Sequence, residues 1–250
     1  MRAIIIGAGR GSRLMPTTEN APKCFAEIRG KRILDWTIEA LRDGGCTEIC
    51  FIGGYRIEAV QREYPGFVFR ENRDWRNNNI LVSLMCAEDL MDRPFIASYS
   101  DILFTGDIVR KLVESGSELA LGVDTDWREH YRPRTQHPPH DAEKVITRNG
   151  HVERVYRTIP YEEATGEFIG VAKFGRGGGQ QLRDFYHRRK WQFWDKPYRE
   201  AAIFQKAYLI HMFQDMIEHG IAFGHADTPG RYREIDTQED MNLAQTLWAP

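Results

Sequence analysis

Short apolar runs and segments of helical spacing alternate along the first half of the chain. Residues 2–6 predict a buried strand ending in glycine, and residues 33–41 place Ile33, Leu34, Trp36, Ile38 and Leu41 at helical spacing before the stop at Gly44-Gly45. The rhythm continues with a strand at 48–52 that ends in Gly53-Gly54, a helix at 57–64, a strand at 67–69 and a helix at 80–90. A strand at 94–97, a helix at 108–113 and a strand at 119–123 complete it. Such alternation predicts an α/β fold with a mostly parallel, doubly wound sheet flanked by helices. Ligands in these sheets sit beyond the carboxyl ends of the strands. The glycines after the first two strands and Asp101 after the fourth fall on that edge.

Residues 124–141 break the rhythm. They are polar, rich in Pro, His and Arg, and read as a long loop of the kind that is usually functional. Strands at 144–146 and 152–155 follow, joined by Asn149-Gly150, a hairpin signal. A strand at 168–174 precedes Gly177-Gly178-Gly179 and then a helix to about residue 189. Residues 201–219 read as one amphipathic helix capped by Gly220, residues 221–225 and 232–235 as strands, and residues 237–247 as a closing helix with Thr237 as its N-cap. The expected organisation is one domain: a core at 1–125, a smaller hairpin-and-helix portion at 126–230, and a return to the core at 231–250.

Composition narrows the class. In 250 residues, 42% are hydrophobic and 28% charged, enough for a packed core and against disorder. The net charge of −2 gives no basic field for nucleic acid or an anionic membrane. Cys24, Cys46, Cys50 and Cys86 form no CxxC pair and read as reduced thiols. The apolar run at the N-terminus is too short for a signal-peptide core, and no window is long enough to span a bilayer, so a cytoplasmic location is expected.

The chemistry concentrates in residues 7–23, GAGRGSRLMPTTENAPK. Glycines after a strand let backbone N–H groups approach phosphate oxygens, and Arg10, Arg13 and Lys23 add cationic donors. The dinucleotide fingerprint fails because Ser12 stands where a glycine is needed and Pro16 interrupts the helix; the Gly-Lys-Ser/Thr of a Walker loop is absent. The glycines alone would equally suit an ordinary turn with surface arginines. Asp101 and Asp236 are candidate carboxylates for a Mg²⁺ ion that neutralises phosphate charge, although either alone would equally serve as a cap or turn residue.

The full string GxGSRLxPxTxxxPK resembles the signature of the nucleotidyltransferases that build nucleoside diphosphate sugars and CDP-alcohols, with matches at Gly9, Gly11, Arg13, Leu14, Pro16, Thr18, Pro22 and Lys23. The resemblance implies a Rossmann-like sheet. It implies a loop of Gly7, Ala8, Gly9, Gly11 and Ser12 around a nucleoside triphosphate, and Arg10, Arg13 and Lys23 acting on the reacting phosphates. The segment Glu234-Ile235-Asp236-Thr237-Gln238-Glu239-Asp240 resembles the family's late EIDT-x-x-D, which implies Asp101 and Asp236 as Mg²⁺ ligands. Strand alternation puts Glu234 on the face of Asp236 as a helper, while Asp240 reads as structural.

Asn77-Asn78-Asn79-Ile80 with Ser83-Leu84, the 126–145 segment and Gly166-Glu167-Phe168 resemble the branch of phosphocholine and phosphonate cytidylyltransferases. That implies CTP as donor, with Gly54, Tyr55, Asn77, Asn78 and Ser83 at the nucleotide, and a small phosphate or phosphonate as acceptor. Trp127, Arg128, Tyr131, Arg134, Glu167 and Glu200 are the candidate acceptor residues, with Arg132 and the aromatics Trp191, Phe193, Trp194 and Tyr198 nearby in sequence. An aromatic cage would hold a trimethylammonium group, but such runs more often pack. Two other readings stand beside this one: a sugar-1-phosphate nucleotidyltransferase using UTP, dTTP or GTP, and a nucleotide-binding regulatory module without catalysis. A homodimer is the default for the family.

Overall fold

Nine strands form the central sheet of the computed structural model, which describes residues 1–249. The first half follows the predicted alternation: β1 (Arg2–Gly7), a short hairpin of β2 (Glu27–Ile28) and β3 (Lys31–Arg32), α1 (Ile33–Asp43), β4 (Glu48–Gly53), α2 (Ile57–Glu63), β5 (Val68–Glu71), α3 (Ile80–Met85), β6 (Phe95–Tyr99), β7 (Ile102–Phe104), α4 (Gly106–Glu114) and β8 (Leu119–Asp124). The second half comprises α5 (Trp127–Tyr131), β9 (Lys144–Arg148), β10 (His151–Val155), β11 (Gly166–Phe174), α6 (Arg176–Phe193), α7 (Leu209–Glu218), β12 (Gly224–Asp227), β13 (Tyr232–Glu234) and α8 (Gln238–Leu247).

The sheet order is β5-β4-β1-β6-β11-β8-β12-β10-β9. The strands from β5 to β6 are parallel, as helical crossovers require. β11 enters antiparallel between β6 and β8, and the β9–β10 hairpin extends the far edge, so the second half is mixed. Asn149 and Gly150 turn that hairpin with φ of 52° and 78°, the left-handed pair such a turn needs. One face of the sheet packs Leu84, Leu182, Met212 and Phe213 from α3, α6 and α7. The other packs Leu34, Leu41, Ile108 and Leu112 from α1 and α4.

Several element boundaries differ from expectation. Residues 201–219 are not one helix: Tyr198 and Ala201 exchange backbone hydrogen bonds of 3.0 Å around Arg199 at φ 56°, and a 3-10 turn follows at Phe204–Lys206. α7 starts only after Tyr208, whose N–H donates to Nδ1 of His211. The helix expected at 80–90 stops at Met85 and yields to a 3-10 turn at Glu88–Leu90. The loop 124–141 holds α5 and a 3-10 turn at Pro139–Asp141.

The three glycines expected ahead of a helix lie inside the first turns of α6. They are there because that helix end presses on residue 118. Gly178 N–H donates to Glu118 Oε2 at 2.9 Å, and a Cβ on Gly178 would sit 2.2 Å from the Glu118 carbonyl oxygen. Gly178→Ala should therefore lower stability by about 1–3 kcal/mol despite alanine's better helix propensity. A urea titration would read this as a lower midpoint at unchanged slope; an undiminished midpoint would contradict the close approach.

Candidate active site

The carboxyl ends of β1, β4 and β6 meet at one edge, where Gly7 pairs with Gly53 and Ile6 with Tyr99. The chain leaves β1 there and wraps back as a loop. Tyr55 ties this loop down: its N–H donates to the Ala8 carbonyl (2.9 Å) and its hydroxyl to the Glu19 carbonyl (2.6 Å). Gly11 turns the loop at φ 68°, and a Cβ there would lie 2.7 Å from Cδ of Lys23. The left-handed turn and the passage of the lysine stem both require glycine at this position. Thr18 Oγ1 donates to the Gly11 carbonyl at 2.9 Å, closing the loop on itself.

Lys23 is buried, and its Nζ reaches two carboxylates: Asp101 Oδ2 at 2.7 Å and, closer still, Asp236 Oδ1. Arg13 donates to the other oxygen of Asp236 at 2.6 Å. The long sequence separation of Asp101 and Asp236 is closed by β13, which pairs antiparallel with β7, and by the N–H of Ile235, which donates to the Asp101 carbonyl at 2.9 Å. Burial alone would lower the Lys23 pKa, but the two aspartates outweigh it and hold the lysine above its ordinary value. Burial likewise opposes ionisation of Asp236, yet Lys23 and Arg13 pull it down to about 2.

Glu234, two residues before Asp236, lines the same cavity. His137, Glu234 and Asp236 offer ligand atoms within 4.8 Å of one another. Arg134 reaches behind them, donating to Asp240 at 2.7 Å and lying 3.5 Å from Glu234. Asp240 also accepts from the N–H groups of Asp236 (3.1 Å) and Thr237 (2.8 Å), while Thr237 Oγ1 accepts from Asp240 N. Asp240 is thus a cap that orients Asp236, the structural role expected of it.

These residues form part of a cavity of about 610 Å³. Gly7, Ala8, Gly9, Gly11, Ser12, Arg13, Lys23, Asp101, Glu234 and Asp236 all line it. Of the residues expected at the nucleotide, Asn78 and Ser83 line it too, joined through Asn72, whose Nδ2 donates to Asn78 Oδ1 (2.7 Å) and Ser83 Oγ (2.9 Å). Asn77 does not: its amide donates to Asp74 outside the cavity. Gly54 and Tyr55 support the loop instead of lining the space, since a Cβ on Gly54 would meet the Ala8 carbonyl at 2.7 Å. Arg10 is exposed, its guanidinium 5.5 Å from the Tyr55 ring centre.

The acceptor expectations change more. Trp127 is fully buried against Tyr131 and Tyr161, and Arg128 lies over it while donating to the carbonyls of Tyr161 (2.7 Å) and Ala164 (2.8 Å). Tyr131 donates to Glu167 Oε1 at 2.6 Å, and Arg134 is committed to Asp240, so all four support the cavity from behind. Arg132 is exposed beside Glu129. Trp191 is 87% exposed and Tyr198 is buried on Asp215, so the expected aromatic run does not gather into a cage. Glu167 does line the cavity, and Glu200 lines a neighbouring chamber.

Sequence reading missed several residues that line the cavity. Arg157 lines the cavity, with its Nη2 donating to Glu143 at 3.3 Å and its guanidinium 4.1 Å from the Tyr208 ring centre. Tyr99 donates to the other oxygen of Glu143 at 3.1 Å. Arg157 follows the hairpin by two residues and Tyr208 caps a helix, so neither carries a motif. His137 stood in the 126–145 segment without an assigned role.

Residues 3–160 match the model of the MobA-like NTP transferase domain family. A CTP:phosphoglutamine cytidylyltransferase of Campylobacter jejuni is 32% identical to this chain across 97% of it and 98% of the relative. A choline-phosphate cytidylyltransferase of Streptococcus pneumoniae is 31% identical over 42% of this chain and 46% of its own length. Among solved structures, the inositol-1-phosphate CTP transferase from T. maritima superposes with a TM-score of 0.73 at 20% identity, covering all of this chain and 98% of that one, a likeness of fold.

Burial pushes the Glu167 carboxyl up from 4.5 to about 8. Above pH 4.5 the unfolded chain releases this proton while the folded chain keeps it, so folding loses stability as pH rises toward about 8. Glu167→Gln should match the parent below that window and gain on it steadily through the window, seen in urea midpoints from pH 4 to 8. Parallel pH profiles for the two proteins would refute the buried neutral acid.

Proposed function

This chain belongs to the MobA-like NTP transferase family, and from that premise we propose that it transfers CMP from CTP to a small phosphorylated or phosphonate acceptor, releasing pyrophosphate. One observation carries the reading: the glycine loop, Lys23, Asp101, Asp236, the Asn78–Ser83 amide and hydroxyl pair and Arg157 line a single cavity. The Campylobacter and Streptococcus relatives named for cytidylyl transfer support CTP as donor.

In this reading an oxygen of the acceptor's phosphate attacks the α-phosphorus of CTP, and the α–β phosphoanhydride bond breaks. The pair of electrons leaves with pyrophosphate, and no proton need be removed from a phosphate dianion. The backbone of Gly7, Ala8, Gly9, Gly11 and Ser12 cradles the triphosphate, and Arg10, Arg13 and Lys23 meet its negative charge. Asn78 and Ser83 supply donors and acceptors for the cytosine edge. Arg157, the guanidinium across the cavity, takes the place first given to Arg128, Arg132 and Arg134 as the holder of the acceptor's phosphate.

Asp101, Asp236 and Glu234 are hard oxygen donors on one wall, a donor set that suits Mg²⁺. When bound, Mg²⁺ supplies charge neutralisation at the phosphates. Catalysis by this chain's own residues is then positioning and electrostatic stabilisation. Lys23 and Arg13 pair with the two aspartates, and a triphosphate would offer them alternative partners.

Lys23→Ala should cut turnover on the order of 10²–10³-fold while circular dichroism stays that of the parent. EDTA should abolish pyrophosphate release, and Mg²⁺ should restore it. The assay pairs CTP, UTP, dTTP or GTP with phosphoglutamine, phosphocholine, 2-aminoethylphosphonate or glucose 1-phosphate. Faster release with UTP and the sugar phosphate would displace the cytidylyl reading, and near-parent turnover of Lys23→Ala would displace the site. CTP binding with no release across the panel would favour a regulatory module.

A further inference from the structure

Beside the catalytic cavity lies a second chamber of about 500 Å³. Asp141 and Arg157 belong to the walls of both, so the two spaces adjoin at those residues. Ile159 and Tyr161 give the chamber an apolar wall, while Lys144 and Glu200 give it charges of both signs.

Neither of those charges has an ionised partner. Lys144 is 3% exposed, and its Nζ meets only the backbone carbonyls of Pro139, His140 and Ala142, at 3.3–3.4 Å. No carboxylate stands within 4.0 Å of it among the described residues, and burial lowers its pKa. The basic group within that range of Glu200 among the described residues is His211, whose Nε2 is 3.6 Å away. His211 is buried, its pKa is pushed down to about 4 by burial and by Arg157 and Arg199, and its Nδ1 accepts the Tyr208 N–H. The ring is therefore neutral at neutral pH and leaves the Glu200 charge uncompensated. Buried charges are ordinarily paired; Lys144 is buried without such a partner, while the more exposed Glu200 presents its charge to the same chamber, and the two do not pair with each other.

We propose that the chamber receives the end of the acceptor remote from its phosphate, and that this end is zwitterionic, with an ammonium group set against Glu200 and a carboxylate set against Lys144. The assignment rests on the cytidylyl-transfer reading of the adjoining cavity. A purely cationic head would leave Lys144 uncompensated, and a purely anionic one would leave Glu200 so. A head carrying both satisfies each without changing the net charge of the chamber. Ile159 and Tyr161 then face the carbon chain that joins head to phosphate, and Arg157 stands where the two spaces meet.

The full-length protein with CTP and Mg²⁺ tests this against three acceptor types. They are phosphorylated amino acids of graded length (O-phosphoserine, O-phosphohomoserine, phosphoglutamine), phosphocholine with the ammonium alone, and phosphorylated hydroxy acids with the carboxylate alone. The best amino acid should exceed each single-charge type by about tenfold or more in kcat/KM, the worth of one charge-assisted hydrogen bond. In Glu200→Gln the preference for the amino acid over the matching hydroxy acid should fall toward one. In Lys144→Met the preference over phosphocholine should fall instead; if that variant does not fold, Glu200→Gln decides alone, since Glu200 is half-exposed. Equal kcat/KM across the three types, or an unchanged preference in Glu200→Gln, overturns the proposal. Calorimetry in the presence of CMP separates the two readings. Tighter binding of the amino acids without any pyrophosphate release would keep the chamber and sink the transfer reading, whereas equal or absent binding sinks the chamber.

Discussion

The Lys23 ammonium, held between Asp101 and Asp236, is the interaction around which the rest of this molecule is arranged. Three segments far apart in sequence must converge for it to exist. Gly11 must lack a side chain so that the lysine stem can pass, the turn after β6 must present Asp101, and β13 must dock on β7 to deliver Asp236. Arg13 adds a second cation to Asp236, so the buried charges balance locally. Removing Lys23 would leave the buried Asp236 to the more exposed Arg13 alone. On the proposed reading the same arrangement takes a polyanion with its counter-ion: cations and carboxylates are both present and within reach of one another.

Behind that centre stands a layer whose work is orientation. Asp240 caps α8 and collects the N–H groups of Asp236 and Thr237, and Arg134 joins it to Glu234. Trp127, Arg128 and Tyr131 hold the chain of the long 124–141 segment against the sheet and, through Glu167, against the cavity wall. These residues looked like ligand contacts in sequence because they are aromatic or cationic and lie in a long polar loop. Their packing shows why such residue types are ambiguous: a buried Trp or a stacked Arg gains as much from neighbouring side chains as from a ligand.

Much of the fold was legible. The order of the main strands and helices over residues 2–124, the Asn149-Gly150 turn and the Thr237 cap appear where local pattern put them, although the β2–β3 hairpin and β7 carried no such signal and α3 ends early at Met85. The failures share a cause. The apolar spacing of 201–219 suits a helix, but Arg199 at positive φ and the Tyr198–Ala201 exchange divert the chain until Tyr208 restarts it. Gly177 to Gly179 resemble a helix break, yet the contact with Glu118 makes small residues necessary inside α6. In both, contacts made outside the helical pattern itself, a turn at Tyr198–Ala201 and the approach to Glu118, override a local preference.

The sequence by itself determined the α/β class, the glycine loop of residues 7–23 and the two aspartates that share its cavity, because each depends on short-range spacing or a motif of fixed length. Tertiary structure alone decided which two of three neighbouring asparagines face inward, that Tyr55 ties a loop down, and that Arg157, Tyr208, Glu143 and His137 line the cavity where Arg128 and Trp127 were expected. Those positions depend on how β9, β10, β11 and α7 pack together. Nothing in the spacing of a side chain along its own element records which distant element will cover it and which cavity will be left open.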